Sequence, residues 1–135
     1  MSTLKIQQAL ETRLATMSPA LATVAENVDY TPTTGTPYQR LTMVTGEPDN
    51  SSIGQRHYIE VGVFMVTLCH PKNTGANACR TRAEAIRALF MRGTTVTIDG
   101  IRIIVPRTPK VSTGYVDGDR FCIPVTITYE ADIFN

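Results

Sequence analysis

Apolar side chains recur at helical spacing in two segments of the chain, residues 3–17 and residues 75–91. The first helix is predicted to end before Pro19, because the residue that precedes a proline is pushed out of the α region. The second is predicted to end at Gly93, a residue type that suits the position just past a helix. The predicted buried faces are Ile6, Leu10, Leu14 and Met17 in the first helix and Cys79, Ala83, Ile86 and Phe90 in the second.

Residues 57–70 are the most apolar stretch and are apolar on both faces of an extended chain. A strand of this kind is typically covered on both sides, so the pattern predicts a central strand under a helix. One predicted face consists of Ile59, Val61, Val63 and Met65, continued by Cys69, and the other of Phe64, Val66 and Leu68.

Three further strands follow the second helix. Residues 94–98 and 101–105 flank Asp99-Gly100, which is a strong signal for a β-hairpin. Residues 121–129 alternate between apolar and polar side chains, which predicts one solvated face. Pro124 lacks a backbone N–H, so this strand is expected at a sheet edge or at a bulge.

Polar connections occupy residues 20–37, 46–56 and 107–119, and a strand is predicted between the first two, over 38–44. The first connection has room for a short extended piece around Val28–Tyr30. The order of helix, strands, helix and strands predicts an α+β fold, with a mostly antiparallel sheet and the two helices packed on it.

The length of 135 residues predicts a single domain spanning residues 1–135. A net charge of +1 argues against a general nucleic-acid binder, and no specific nucleic-acid partner is expected. The sequence has neither a signal-peptide pattern at its start nor an apolar run of membrane-spanning length, so no membrane partner is expected. Three cysteines are an odd number that suits a reducing compartment better than a disulfide framework.

The candidate metal ligands or nucleophiles are His57, Cys69, His70, Cys79 and Cys122. Cys69 and His70 are adjacent on a strand, so their side chains point to opposite faces and cannot share one metal ion. Cys79 lies on the apolar side of a helix, where a cysteine behaves as a small hydrophobe. The sequence predicts no catalytic residue, no metal and no cofactor.

Two alternatives from other functional classes start from polar patterns. His57, Tyr58 and Glu60 are the polar cluster that could serve a small-molecule-binding or enzymatic α+β domain with its pocket between sheet and helix. Residues 80–110 carry seven basic and two acidic side chains, which allows an electropositive patch for an acidic protein or nucleic-acid phosphates.

Most of the chain, from about Val28 to Ala131, resembles a family of small bacteriophage and prophage proteins related to the lambda-type tail terminator, the minor tail protein U group. The resemblance lies in a glycine-bounded approach to the apolar strand, a Pro and Gly turn, an Ala-rich helix and a closing strand. The matching stretches are NVDYTP, GTPYQRLTMVTGEPDN, IGQRHYIEVGVFMVTLCHPKNTGANACRTRAEAIRALF and DGDRFCIPVTITYEA.

The resemblance implies a structural virion protein, a tail terminator or tail completion protein, and no enzyme. Such a protein caps the tail tube as a ring, with six subunits expected in the assembled state and a monomer possible in isolation, and it provides the head-joining surface. The implied partners are the tail tube protein and a head-completion protein. The implied location is the host cytoplasm during assembly and then the virion tail.

A closed ring needs two different surfaces on each subunit, and the polar loops 46–56 and 107–119 can supply them. The residues expected at the oligomer or partner interface are Glu47, Asp49, Arg56, Arg107, Lys110, Tyr115 and Arg120.

Overall fold

The computed structural model describes residues 2–17, 22–24, 36–48, 50, 57–71 and 77–134. Within these residues the helices are α1 (Ser2–Leu14) and α2 (Asn77–Leu89). The strands are β1 (Ala22–Val24), β2 (Tyr38–Thr45), β3 (His57–Pro71), β4 (Thr95–Ile98), β5 (Ile101–Ile104), β6 (Lys110–Val111), β7 (Tyr115–Asp117) and β8 (Arg120–Phe134).

The eight strands of the described residues form one sheet in the order β1-β2-β3-β8-β5-β4, and β6 and β7 also pair with β8. Every pairing is antiparallel except that of β1 with β2. The strands β3 and β8 are paired along their whole length, from His57 opposite Phe134 to Pro71 opposite Arg120. The molecule is a single compact α+β domain with a mostly antiparallel sheet, which confirms the predicted fold class.

Both helices pack on the same face of the sheet. The predicted faces of α1 and α2 are buried, except that Met17 is only partly buried against the core. The two helices are also joined directly, since Arg13 Nε donates to the Leu89 carbonyl oxygen at 3.1 Å. The sheet contributes mainly Leu41, Phe64, Val66, Leu68, Ile103, Ile123, Val125, Ile127 and Tyr129 to this core.

Within the described residues, the expectation that both faces of β3 are covered is met fully on one face and only in part on the other. Phe64, Val66 and Leu68 are fully buried under the helices. The side chains of the opposite face, between Ile59 and Met65, are only partly buried. The reason is that both described helices lie on the Phe64 side, so this strand is central in the sheet without being enclosed.

Strand β8 is central, which corrects the expectation that Pro124 marks a sheet edge. The structure instead has the expected bulge, and it lies in the chain segment that pairs with β8. Val111 pairs with Val125, and Tyr115 pairs with Cys122. The three residues 112–114 therefore lie opposite only two residues, Ile123 and Pro124. The Ser112 N–H donates to the Pro124 carbonyl oxygen at 2.9 Å. Since the N and C=O of a strand residue point to the same side, the missing N–H of Pro124 faces the bulge and costs no bond with β3.

The predicted turns are confirmed. Asp99 and Gly100 both have positive φ, 48° and 81°, as a two-residue hairpin turn between β4 and β5 requires. Gly118 has a φ of 60° in a further turn, which joins β7 to β8. Gly93 has a φ of 90° just after α2, and its N–H donates to the Val105 carbonyl oxygen at 2.8 Å.

Three short strands were missed by the sequence patterns. Residues 107–119 are not wholly irregular, because β6 and β7 within them pair with β8. The three-residue strand β1 pairs with β2 inside the predicted connection 20–37. The extended piece expected around Val28–Tyr30 lies outside the described residues.

Gly62 should be sensitive to substitution, because it lies where β2 and β8 both approach β3. A Cβ at this position would be 2.6 Å from the Val44 carbonyl oxygen and 2.6 Å from the Tyr129 hydroxyl. We expect Gly62→Ala to lower the free energy of unfolding by about 1–3 kcal/mol, measured by urea denaturation. Tyr129→Phe in the Gly62→Ala background removes the hydroxyl but leaves the Val44 carbonyl oxygen and Tyr129 Cζ, which is 2.8 Å from the added Cβ, so it should restore only part of the loss. Full restoration, or no loss in Gly62→Ala, would contradict this account.

Candidate interaction surfaces

The side of the sheet opposite the helices carries an apolar strip, here called the open sheet face. It consists of Ile59, Val61, Val63 and Met65 on β3 together with Val44 on β2, which is directly opposite Val63. The four β3 side chains are partly buried, and Val44 is 50% exposed. A contiguous apolar strip at a protein surface is typical of a contact site for another molecule.

A second exposed surface lies on residues 107–119, here called the arm. Tyr115 is 46% exposed and Val116 is 57% exposed, although both belong to a strand. The arm is fixed to the body through β6 and β7, and Arg87 Nε of α2 donates to the Pro109 carbonyl oxygen at 3.1 Å. Two large side chains are therefore about half exposed on a supported segment, and the Tyr115 hydroxyl is also hydrogen-bonded to the Cys122 thiol.

The predicted interface residues of the arm are exposed at three of four positions. Arg107 and Lys110 are exposed, and Tyr115 is one of the two half-exposed side chains. On the other predicted loop, Glu47 is exposed just after β2. Asp49 and Arg56 lie outside the described residues.

Arg120 does not lie on the exposed arm as expected, because it is the first residue of β8 and only 4% exposed. Its guanidinium donates to the Thr36 carbonyl oxygen and stands over the Tyr38 ring, 5.2 Å from the centroid. A buried arginine that stacks on an aromatic ring and donates to a carbonyl holds the subunit together. Arg120 is therefore best described as a structural residue of the sheet.

Glu47 and the Tyr115 end of the arm lie at opposite ends of the long strands, whereas Lys110 of the arm pairs with Thr126 near the middle of β8. Glu47 follows Gly46, whose N–H donates to the Val61 carbonyl oxygen at 2.8 Å. Val61 of β3 lies opposite Glu130 of β8. Tyr115 faces Cys122, eight residues further toward the start of β8. At about 3.3 Å per strand residue the two regions are separated by roughly 26 Å along the sheet. One subunit thus presents two distinct exposed surfaces.

A buried basic pair that the sequence reading missed lies between β3 and α2. His70 and Arg82 are each only 8% exposed. The helical spacing gave a signal for Arg82, since it is three residues from Cys79 and four from Ile86 on the buried side of α2. Burial, followed by the positive charges of Arg82 and Arg120, holds the pKa of His70 below its ordinary value.

The cysteines are packed inside the molecule. Burial raises the pKa of the Cys79 thiol to about 11, so this thiol is protonated at neutral pH and is a poor nucleophile. Cys69 and Cys122 are buried on the opposite side of the sheet, with their sulfur atoms 2.8 Å apart. Among the described residues no group of three or more His, Cys, Asp or Glu side chains is arranged to hold a metal ion.

The polar cluster considered for a small-molecule site does not gather around a described cavity. His57 Nε2 lies 3.4 Å from Asp132 Oδ1, while Glu60 is buried. Two described cavities, of about 260 and 330 Å³, adjoin α1. Their linings include Leu14 and Gln39 for the first and Thr12 and Ile98 for the second, but neither includes His57, Tyr58 or Glu60.

Three of the seven basic residues between 80 and 110 are buried or lie beside an acidic side chain. Arg82 is buried, and Arg87 lies 3.7 Å from the Glu84 carboxylate while bonding to Pro109. Arg102 is on β5 opposite Asp132. The described helices also lack the length and apolar character that crossing a membrane would need.

Comparison with known proteins agrees with the architecture and identifies the class. The model of the family described as phage tail terminator protein matches residues 5–129, nearly the whole chain. The chain is thus a phage structural tail protein. It belongs to the phage tail terminator protein family, which is a structural, non-enzymatic family, and the resemblance seen in the sequence is confirmed.

Solved structures share the fold at low sequence identity. One aligns with a TM-score of 0.78 and 22% identity, covering 100% of this chain and 99% of the other. A second, from the virion of a native gene transfer agent (GTA) particle, aligns with a TM-score of 0.61 and 15% identity, covering 98% of this chain and 97% of the other. No curated protein matches the sequence.

The lowered pKa of His70 predicts a loss of stability in mild acid. As the pH falls from about 7 toward 5.5, the unfolded chain binds a proton at this histidine before the folded chain does, which favours unfolding by up to about 1.4 kcal/mol per pH unit. We expect His70→Gln to reduce this slope, measured by urea denaturation at a series of pH values. An unchanged slope in the variant would show that His70 is not responsible.

Proposed function

We propose that this protein is a tail terminator that closes into a ring, expected to have six subunits, on the end of the tail tube and there provides the surface to which the head-completion protein attaches. The observation that carries the proposal is the family match over residues 5–129. The likeness to a chain of a gene transfer agent virion supports it at the level of fold. The subunit folds in the host cytoplasm, is monomeric in isolation at low concentration, forms rings at high concentration, and remains in the virion tail after assembly.

The shape of the subunit supports assembly into a ring. A ring is built from head-to-tail contacts, in which one surface of each subunit meets a different surface of the next. The open sheet face and the arm are two such surfaces, and each has apolar side chains that are at least partly exposed to solvent. Val44 and Val61 on one and Tyr115 and Val116 on the other supply apolar area that a neighbouring subunit would remove from water.

The exposed charges at one end of the arm are opposite in sign to Glu47, whereas Asp117 and Asp119 at the other end of the arm are acidic. Glu47 adjoins the open sheet face at the end of β2, and Arg107 and Lys110 lie on the arm. Charges of opposite sign at the rim of a contact orient the partners and raise the rate of association. In the proposed ring, the arm of one subunit therefore approaches the Glu47 end of the next.

The apolar side chains of the arm provide the first test. We expect a double substitution, Tyr115→Ser with Val116→Ser, to prevent ring formation and tube capping without unfolding the subunit, because both side chains are about half exposed in the monomer and lie outside its core. Tail tube protein is mixed with the variant, and electron microscopy measures ring density at tube ends and the distribution of tube lengths.

Met91→Ser is the matched control, because Met91 is 59% exposed but lies on neither surface. Capping by the control but not by the arm variant supports the proposal. Full capping by a folded arm variant would remove the arm from the ring contact, and failure of the unaltered protein to cap or shorten tubes would overturn the proposed function itself.

A charge exchange tests whether the two surfaces meet. Glu47→Lys and Lys110→Glu should each weaken ring formation, by about 2- to 10-fold, because each places like charges across the contact. The combination of both substitutions should recover most of the loss. The concentration at half-maximal ring formation, measured by light scattering at low and high salt, reports these effects. A double variant weaker than either single variant would show that the two regions do not face each other.

A further inference from the structure

Cys69 and Cys122 lie directly opposite each other on β3 and β8. They belong to a small buried cluster with Val24 and Tyr38, on the side of the sheet away from the helices. Both are free thiols, and their Sγ atoms are 2.8 Å apart, with Cys122 donating toward Cys69. The third cysteine is on the other side of the sheet, where the Cys79 thiol lies 3.7 Å from the Leu68 carbonyl oxygen.

The backbone register places this pair at a position of close approach. The Val61 carbonyl oxygen accepts a hydrogen bond from the N–H of Gly46, which follows β2. The Pro124 carbonyl oxygen accepts a hydrogen bond from the N–H of Ser112 in the arm. In a regular strand every second residue points its backbone groups the same way, so those of Cys69 face β2 and those of Cys122 face β7. The two cysteines therefore form a pair without mutual backbone hydrogen bonds, the kind whose side chains approach most closely. Its Cα separation of about 4.5 Å falls within the range that a disulfide bridges.

We propose that Cys69 and Cys122 are a redox site, which forms a reversible disulfide between β3 and β8 when the protein passes from a reducing cytoplasm to a medium that contains a peroxide-class oxidant. The transition from cell to medium is the part that rests on the proposed virion function. Formation of the bond itself is a property of the isolated chain.

The chemistry with hydrogen peroxide balances in two steps. One thiol attacks the peroxide and the O–O bond breaks, which gives a sulfenic acid and one water molecule. The second thiol then attacks the sulfenic sulfur, the S–O bond breaks, the S–S bond forms and a second water molecule leaves. The two sulfur atoms together lose two electrons, and the peroxide is reduced by two electrons.

Burial makes this reaction slow and therefore conditional. Burial, the hydrogen bond to Cys69 and nearby negative charge raise the pKa of the Cys122 thiol, which keeps it protonated. Arg120, on the same side of the sheet, extends over Tyr38 of the cluster. A thiol pair of this kind stays reduced during brief exposure and reacts during long residence in an oxidising medium.

The bond would join the two longest strands near one end of their shared ladder. It would close a loop that contains α2, β4, β5 and the arm, since all of these lie between Cys69 and Cys122 in the chain. A crosslink across a long loop restricts the unfolded chain and thereby stabilises the folded one. The bond would join two adjacent strands whose full-length pairing it leaves in place.

The test uses the full-length chain carrying Cys79→Ala, so that the opposed pair provides its only thiols. The folded protein is incubated with hydrogen peroxide, then denatured and assayed for free thiols, intact mass and linked peptides. We expect both thiols to disappear together, a mass about 2 Da lower and a peptide pair joining Cys69 to Cys122, all reversed by dithiothreitol. The melting temperature should rise by about 5 °C or more in the oxidised form.

Cys69→Ala and Cys122→Ala, each combined with Cys79→Ala, are the matched controls. Neither can form the internal bond, so neither should gain melting temperature on oxidation. Recovery of both thiols after prolonged incubation, conversion to sulfinic or sulfonic acids, or disulfides only between molecules would overturn the proposal. A linked pair without a rise in melting temperature would overturn the stabilising role. None of these results depends on ring formation, so this test and that of the proposed function fail separately.

Discussion

The pairing of β3 with β8 is the interaction on which the rest of the structure depends. It brings residues 57–71 against 120–134 in unbroken register, although they are separated along the chain by α2, the β4–β5 hairpin and the arm. One face of this ribbon carries the helices and the core. The other side of the ribbon carries the apolar strip called the open sheet face and the opposed cysteines. The proposed redox site and one of the two proposed ring surfaces therefore lie on the side that does not build the core.

The fold class and most elements followed from local patterns because those patterns have short-range causes. Helical spacing identified the core faces of both helices, and Asp99-Gly100 identified a hairpin whose turn requires positive φ. The pairing partners of the strands did not follow, because register depends on contacts between distant segments. Pro124 illustrates the limit: its missing N–H was a valid signal of disturbed pairing, but the disturbance is in the neighbouring segment.

The interaction surfaces were less accessible to sequence reading than the fold. An exposed loop position and a buried strand position can have the same residue type, and Arg120 was expected on the arm although it is held inside the subunit. The open sheet face was not recognised from the sequence, because its exposed side chains have the same residue types as core side chains. The sequence pattern predicts a core position for an apolar side chain between Ile59 and Met65, whether a helix or a neighbouring molecule covers it. These two cases are distinguished only by the placement of both helices on the Phe64 side of the sheet.

The bulge opposite Pro124 has a consequence for how this chain tolerates changes of length. Tyr115 shares a side of the sheet with Cys122, and Val116 shares the other side with Phe121. Four residue steps lead from Val111 to Tyr115 but only three lead from Val125 to Cys122, so the bulge absorbs the one residue that would otherwise reverse the alternation of side chains. Loss of one residue among 112–114 would therefore leave a regular ladder with the same two orientations, whereas loss of two would bring Tyr115 opposite Ile123, on the helix side of the sheet. In this segment the conservative deletion is the one that removes the bulge, whatever amino acid is lost.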